Sequence, residues 1–167
     1  NCPSPTPTSA ATGLVTWALV ETWRNAKPTA VGMATGAVAG LVGVTPAAGF
    51  ITPGAGMAIG AITSACCYAS VQLKMHWRFD DSLDTFAVHG VGGTIGALLT
   101  GVFASAALID GHPAAGVLAE QGRFGLILGQ LQAVVVAYGI AAIGTLAIAL
   151  AIRQGGVPFR VSEEAEN

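Results

Sequence analysis

The chain of 167 residues is strongly apolar: 53% of its residues are hydrophobic, 10% are charged, and the mean hydropathy is +0.65. An ordinary soluble domain carries about 25% charged residues, so this composition favours a lipid bilayer over water. The net charge of -2, without a basic run, excludes electrostatic binding of nucleic acid.

Five apolar runs follow one another, and they predict an all-α polytopic membrane protein with about five transmembrane helices. The last three runs reach the roughly 20 residues that a helix needs to cross the hydrocarbon core. The first two runs are shorter, and we expect the second to be extended by an irregular stretch at 45–49. The runs cover Ala10–Trp23, Thr29–Thr45, Gly54–Leu73, Phe86–Leu108 and Phe124–Ile152.

Basic residues flank these runs asymmetrically, and Lys and Arg accumulate in short cytoplasmic loops. We therefore predict a cytoplasmic loop at 77–84, an outside loop at 110–123, a cytoplasmic tail and an N-terminus outside. Of the seven basic residues only Arg123 disagrees. The others are Arg24, Lys27, Lys74, Arg78, Arg153 and Arg160.

Glycines recur at every fourth position in three of the runs. Small residues at this spacing let helix backbones approach closely, and in lipid such packing drives helix association. We therefore predict that these glycines lie at helix–helix interfaces, and we give them no chemical role. The set is Gly32, Gly36 and Gly40, then Gly56 and Gly60, then Gly92 and Gly96.

One segment combines ionisable groups with an apolar run, because His89 follows closely after Asp80, Asp81 and Asp84. An ionisable group at a helix centre costs about 2.5–3.5 kcal/mol on insertion scales, so it usually faces the protein interior or a pathway. A neutral imidazole keeps one donor and one acceptor, which suits the passage of a small polar molecule. The simpler alternative is a core histidine that is hydrogen-bonded to a neighbouring helix.

The three carboxylates also have simple explanations. Asp84 stands at the predicted helix start, where we expect its side chain to cap free N–H groups. We interpret Asp80 and Asp81 as a solvated loop pair, although carboxylates at a cytoplasmic pore mouth also concentrate cations.

The remaining polar positions suggest no chemistry. We interpret Glu21 as an interfacial anchor, Cys66 and Cys67 as small core residues, and His76 and His112 as loop residues. No catalytic set, phosphate-binding loop or metal-ligand spacing is present, so we predict neither an enzyme nor a cofactor.

Two stretches, Ala39–Phe50 and Asp80–Phe103, resemble the signatures of the ammonium transporter (Amt/Mep/Rh) superfamily. In addition, Trp17 with Glu21 is similar to the family's seventh helix, and Arg160–Glu164 is similar to the start of its cytoplasmic tail. The resemblance implies an eleven-helix fold of inverted repeats.

The chain then corresponds to the C-terminal half of that fold. Helices seven to eleven fall in residues 1–152 and the start of the tail falls in residues 153–167. We therefore expect a fragment that supplies half of a pore.

The same resemblance implies roles for single residues. His89 is similar to the second member of the family's pore-lining histidine pair, and Thr35 and Thr45 match polar positions near the lumen. Asp84 matches the acid at the start of the tenth helix. Thr85 replaces a more usual valine at a lumen-facing site, which makes the local wall more polar.

The implied function is transport of ammonium or ammonia, with methylammonium as an analogue. The resemblance further implies a homotrimer whose cytoplasmic side meets PII-type regulatory proteins. Two alternatives stay open: a sensor that uses the same fold to signal to a cytoplasmic partner, and a different polytopic protein that shares only the composition.

Overall fold

The computed structural model describes residues 4–77, 81, 83–108 and 111–156, and the regular structure in these ranges is helical, as predicted. A π-helical segment runs without a break into the fourth α-helix. The α-helices are α1, Pro5–Asn25; α2, Ala30–Val44; α3, Pro53–Trp77; α4, Gly92–Phe103; and α5, Pro113–Gln154, and the π segment is Phe86–Val91.

Three helical stretches of the described residues are long and apolar enough to cross a membrane. They are Pro53–Trp77, Phe86–Phe103 and Ala114–Gln154. Helix α2 is apolar but shorter, and it ends in turns between residues 45 and 50, where we expected an irregular stretch.

The helix boundaries differ from the prediction at both ends of the chain. Helix α1 starts at Pro5 because proline suits the first helical turn, where its missing N–H is not needed. Helix α5 starts at Pro113, so much of the predicted 110–123 loop is helical, and the backbone leaves helical geometry at Gly122 with φ 64° and ψ −164°.

The glycine faces form helix–helix interfaces, which confirms the prediction. A Cβ atom added to Gly40 or to Gly60 would lie 2.3 Å from the backbone oxygen of Ser9 in α1. A Cβ atom added to Gly96 would lie 2.2 Å from the backbone oxygen of Gly43, so α2 and α4 touch backbone to backbone. No larger residue fits these positions without a backbone shift.

Buried hydroxyl groups join the same helices. The Ser9 hydroxyl donates to the carbonyl of Gly40 at 2.8 Å, and the Ser64 hydroxyl donates to the carbonyl of Gly13 at 2.7 Å. These bonds satisfy polar groups that would otherwise be costly to bury.

Two apolar clusters fill the space between the helices. In the first, the rings of Trp17 and Tyr68 meet edge to face, with their centroids 5.2 Å apart. Its other members are Ala39, Cys67, Val71, Ala87 and Val88, and the second cluster contains Val44, Ala47, Ile51 and Ile59. The first cluster packs the π segment against α2 and α3, and α1 contributes Trp17 to it.

The chain divides into two compact units, Asn1–Leu131 and Gln132–Asn167. The first unit contains α1 to α4 and the start of α5. In the second unit the described residues are helical up to Gln154, and most of their apolar side chains are exposed.

Candidate functional site

His89 lies in the middle of the π segment, which is the one π-helical stretch of the described residues. A π-helical turn holds one more residue than an α-helical turn, and such turns occur frequently at functional sites. Regular α geometry resumes at Gly92, whose N–H group donates to the carbonyls of Val88 and His89.

The two faces of the π segment differ in burial. Ala87 and Val88 are 1% and 4% exposed and belong to the first apolar cluster. His89 is exposed, and so is Thr85, which stands four residues earlier and therefore on the same face. The structure thus brings two of the predicted site residues together, and within the described residues His89 is not a core histidine.

The other two predicted pore-lining residues, Thr35 and Thr45, lie in and at the end of α2. Thr35 is half-buried and its hydroxyl donates to the carbonyl of Val31 at 2.9 Å, whereas Thr45 is exposed and donates to Leu41 at 2.7 Å. Each hydroxyl has only one proton, so each can only accept a further hydrogen bond. Their separation along the helix is about 15 Å, which prevents both from binding one small molecule together.

The carboxylate that caps the π segment belongs to Asp81. Its two oxygens accept hydrogen bonds from the N–H groups of Thr85 at 2.9 Å and Phe86 at 3.0 Å. The predicted capping by Asp84 is wrong, because its backbone is left-handed (φ 54°) and its carboxylate forms an ion pair with Lys74. Asp80 lies outside the described residues, as does the predicted tail segment around Arg160.

From the sequence, Lys74 indicated only the orientation of the chain in the membrane. Its ammonium group donates to the carboxylate of Asp84 and also to the backbone carbonyl of Asp81. The ion pair is partly shielded from solvent, since the Lys74 and Asp84 side chains are 16% and 31% exposed. Lys74 and Asp84 are ten residues apart and separated by a loop, so no sequence pattern predicts this ion pair.

Glu21 is also a structural group rather than an interfacial anchor, so its predicted role is wrong. It is 8% exposed, and its carboxylate accepts hydrogen bonds at 2.9 Å from both the N–H and the hydroxyl of Thr29. The Thr29 hydroxyl in turn accepts from the N–H of Gly32 at 3.0 Å and caps α2. The available sequence signal was Thr29, three residues before the packing glycine Gly32, which indicates the N-cap of α2.

The two remaining histidines lie apart from His89 in the chain. His76 is exposed in the last turn of α3, where we expected a loop. His112 lies in the loop before α5, as expected; its Nδ1 accepts from the N–H of Ala114 at 3.2 Å, and its ring meets the Phe50 ring edge to face.

A mostly apolar cavity of about 350 Å³ lies between the end of α3 and the π segment. A smaller cavity of about 70 Å³ lies near His112. His89 lines neither of these two cavities, and its side chain is exposed. The larger cavity is lined by Ser70, Leu73, Lys74, Trp77, Phe86, Ala87 and Val91.

Sequence relatives cover nearly the whole chain. The model of the Ammonium Transporter Family matches residues 4–167. The ammonium transporter of Bacillus subtilis is 42% identical over 163 residues, which are 97% of this chain and 39% of the relative. The ammonium transporter of Aquifex aeolicus is 42% identical over 162 residues, which are 96% of this chain and 37% of the relative.

Solved structures share the helical arrangement. Saccharomyces cerevisiae Mep2 matches with a TM-score of 0.74 at 33% identity, over 96% of this chain and 36% of that one. A structure described as a sensor Amt protein matches with a TM-score of 0.81 at 29% identity, over 97% of this chain and 38% of that one. The chain thus spans about two fifths of the length of these four proteins.

Proposed function

This chain belongs to the ammonium transporter family, and from that membership we propose that it forms part of a pore that moves ammonium or ammonia across a membrane. The observation that carries the proposal is the exposed imidazole of His89 on a π segment whose opposite face is buried. The curated relatives are more than twice as long as this chain, so we assign the rest of the pore wall to protein outside these 167 residues.

The physical case rests on the cost of dehydration. Bare ammonium would lose much hydration free energy in an apolar lumen, whereas ammonia is neutral and small. His89 then offers the permeating molecule one hydrogen-bond donor and one acceptor, which replace part of its hydration.

Three threonines extend this polar line in our proposal. Thr85 shares the exposed face of His89, and Thr35 and Thr45 present hydroxyl lone pairs, because their protons are already donated to α2 carbonyls. A lone pair suits a permeant that carries several N–H groups. The distance between Thr35 and Thr45 favours successive contacts along a path over a single binding site.

The acids Asp81 and Asp84 have a structural role at the mouth of this path. Both carboxylates are engaged, one by backbone N–H groups and one by Lys74. A paired carboxylate attracts a passing cation less than a free one, so we assign the selection of ammonium to other groups.

The orientation and assembly complete the proposal. The distribution of basic residues puts the N-terminus outside and the C-terminal tail in the cytoplasm. From family membership we propose a homotrimer in the cell membrane, with PII-type regulatory proteins binding its cytoplasmic side.

The experiment is uptake of methylammonium by the complete protein in proteoliposomes. We expect His89→Ala to change the uptake rate or the charge carried per molecule while the protein still folds and inserts. His76→Ala is the matched control, because His76 is also an exposed histidine but lies in the last turn of α3. Wild-type kinetics and selectivity in His89→Ala would refute a pore role.

A sensor is the second candidate, favoured by the TM-score of 0.81 to the sensor Amt structure. In that case the same face binds ammonium and signals to a cytoplasmic partner. The uptake assay separates the two functions, because a sensor that binds ammonium without conducting it leaves the proteoliposomes empty of methylammonium.

A further inference from the structure

The π segment is held in place by side chains from outside its own helix. The Asp81 carboxylate accepts from the N–H groups of Thr85, which precedes the segment, and of Phe86, its first residue. Lys74 from α3 binds both the carbonyl of Asp81 and the carboxylate of Asp84. The loop that enters the π segment is therefore fixed to α3 at two points.

A third contact secures the middle of the segment. The buried thiol of Cys67 in α3 lies 3.8 Å from the carbonyl of Val88, the residue before His89. The thiol is a weak donor, so this contact contributes less than the two made by Lys74. The Cys67 contact lies on the buried face of the segment, whereas the Lys74 contacts lie in the loop before it, and His89 remains exposed.

We propose that Lys74 is a positioning residue that sets the orientation of His89, by fixing the register of the π segment through Asp81 and Asp84. The proposal rests on the proposed function, in which the His89 face borders the pore. Lys74 itself makes no contact with the permeating molecule.

The reason lies in helix geometry. If a π turn relaxes to α geometry, the chain before it shifts by one residue, which is a rotation of about 100° and a translation of about 1.5 Å. Such a shift would carry Thr85 and Phe86 away from the Asp81 carboxylate, so the bound N–H groups oppose it. Lys74 holds Asp81 and Asp84 against α3, so the loop cannot follow the shift.

The test uses the complete protein in lipid bilayers, with solid-state NMR of labelled histidine. The His89 signals are identified by their loss in His89→Ala. We expect Lys74→Met to shift the His89 signals and to lower the maximal methylammonium uptake rate about tenfold at similar KM, because a misplaced group loses rate rather than uniform binding. Lys74→Arg keeps the charge and donors and should restore both values.

Lys27→Met is the matched control, because Lys27 is exposed in the loop between α1 and α2. It should leave the His89 signals and the uptake unchanged. If Lys74→Met does not reach the membrane, Asp84→Asn removes the ion pair, leaves Lys74 in place, and is measured in the same way.

Two outcomes of these measurements distinguish a failure of the positioning role of Lys74 from a failure of the proposed pore function. Unchanged His89 signals in Lys74→Met, or in Asp84→Asn where that variant replaces it, would overturn the positioning role, whatever His89→Ala does. Shifted His89 signals together with wild-type uptake in His89→Ala would instead defeat the pore function and leave the structural link between Lys74 and His89 intact.

Discussion

The interface of α1 with α2 and α3 contrasts with the exposed face of the π segment. In the interface, backbones touch through glycines, and the buried groups Ser9, Ser64 and Glu21 each bind a partner. On the π segment, Ala87 and Val88 pack inward while His89 remains exposed.

The difference separates two uses of polar residues in an apolar protein. Ser9, Ser64 and Glu21 join helices through hydrogen bonds within the chain, and an unpaired group at these positions would be costly. A polar group that serves a permeating molecule must keep donors or acceptors available. We therefore expect substitutions in the interface to change stability, and substitutions on the His89 face to change transport.

The largest loss of stability is expected for Gly40→Ala. The added methyl group would lie 2.3 Å from the Ser9 backbone oxygen, and neither backbone can move aside without opening the interface. Overpacking of this kind costs about 3 kcal/mol. Thermal unfolding in detergent measures it, with Gly144→Ala as the control, because nothing lies within 4 Å of the Cβ position there. Equal midpoints for the two variants would contradict a close contact of α1 with α2.

A smaller loss is expected for Glu21→Ala. The substitution removes the carboxylate whose two oxygens accept hydrogen bonds from Thr29, and hydrogen bonds to a charged group contribute about 2 kcal/mol. Glu120→Ala is the control, since Glu120 is exposed. Denaturation in detergent should show the loss at Glu21 alone, and an equally small effect of both changes would restore the interpretation of Glu21 as an interfacial anchor.

The smallest effect is expected for Ser64→Ala. Its hydroxyl is buried and donates to the Gly13 carbonyl, and hydrogen bonds between membrane helices contribute on average about 0.6 kcal/mol. Ser70→Ala, at a half-buried position of the same helix, gives the baseline. A loss as large as that of Gly40→Ala would show that hydroxyl groups, and not glycine contacts, dominate the interface.

Features that depend on periodicity could be predicted from the sequence. The helical class and the glycine interfaces follow from apolar runs and four-residue spacing, which are properties of a single helix. The resemblance also identified His89 as a candidate pore residue.

Features that depend on contacts across loops could not be predicted. The exchange of capping from Asp84 to Asp81 depends on a left-handed residue, and no pattern marks that backbone state. The π segment inserts one residue into a helix without changing its composition. Lys74 pairs with Asp84 in a loop, and Glu21 binds Thr29 at the start of the next helix. Charge and position alone therefore indicated only the membrane orientation for Lys74 and an interfacial anchor for Glu21.

The most direct test measures two properties of the complete protein, the midpoint of thermal unfolding and the uptake of methylammonium per folded molecule, in His89→Ala and Glu21→Ala. We predict an unchanged midpoint and altered uptake for His89→Ala, and a lowered midpoint for Glu21→Ala. A lowered midpoint with wild-type uptake in His89→Ala would contradict the account, because His89 would then be a packing residue and its exposed face would not border the path.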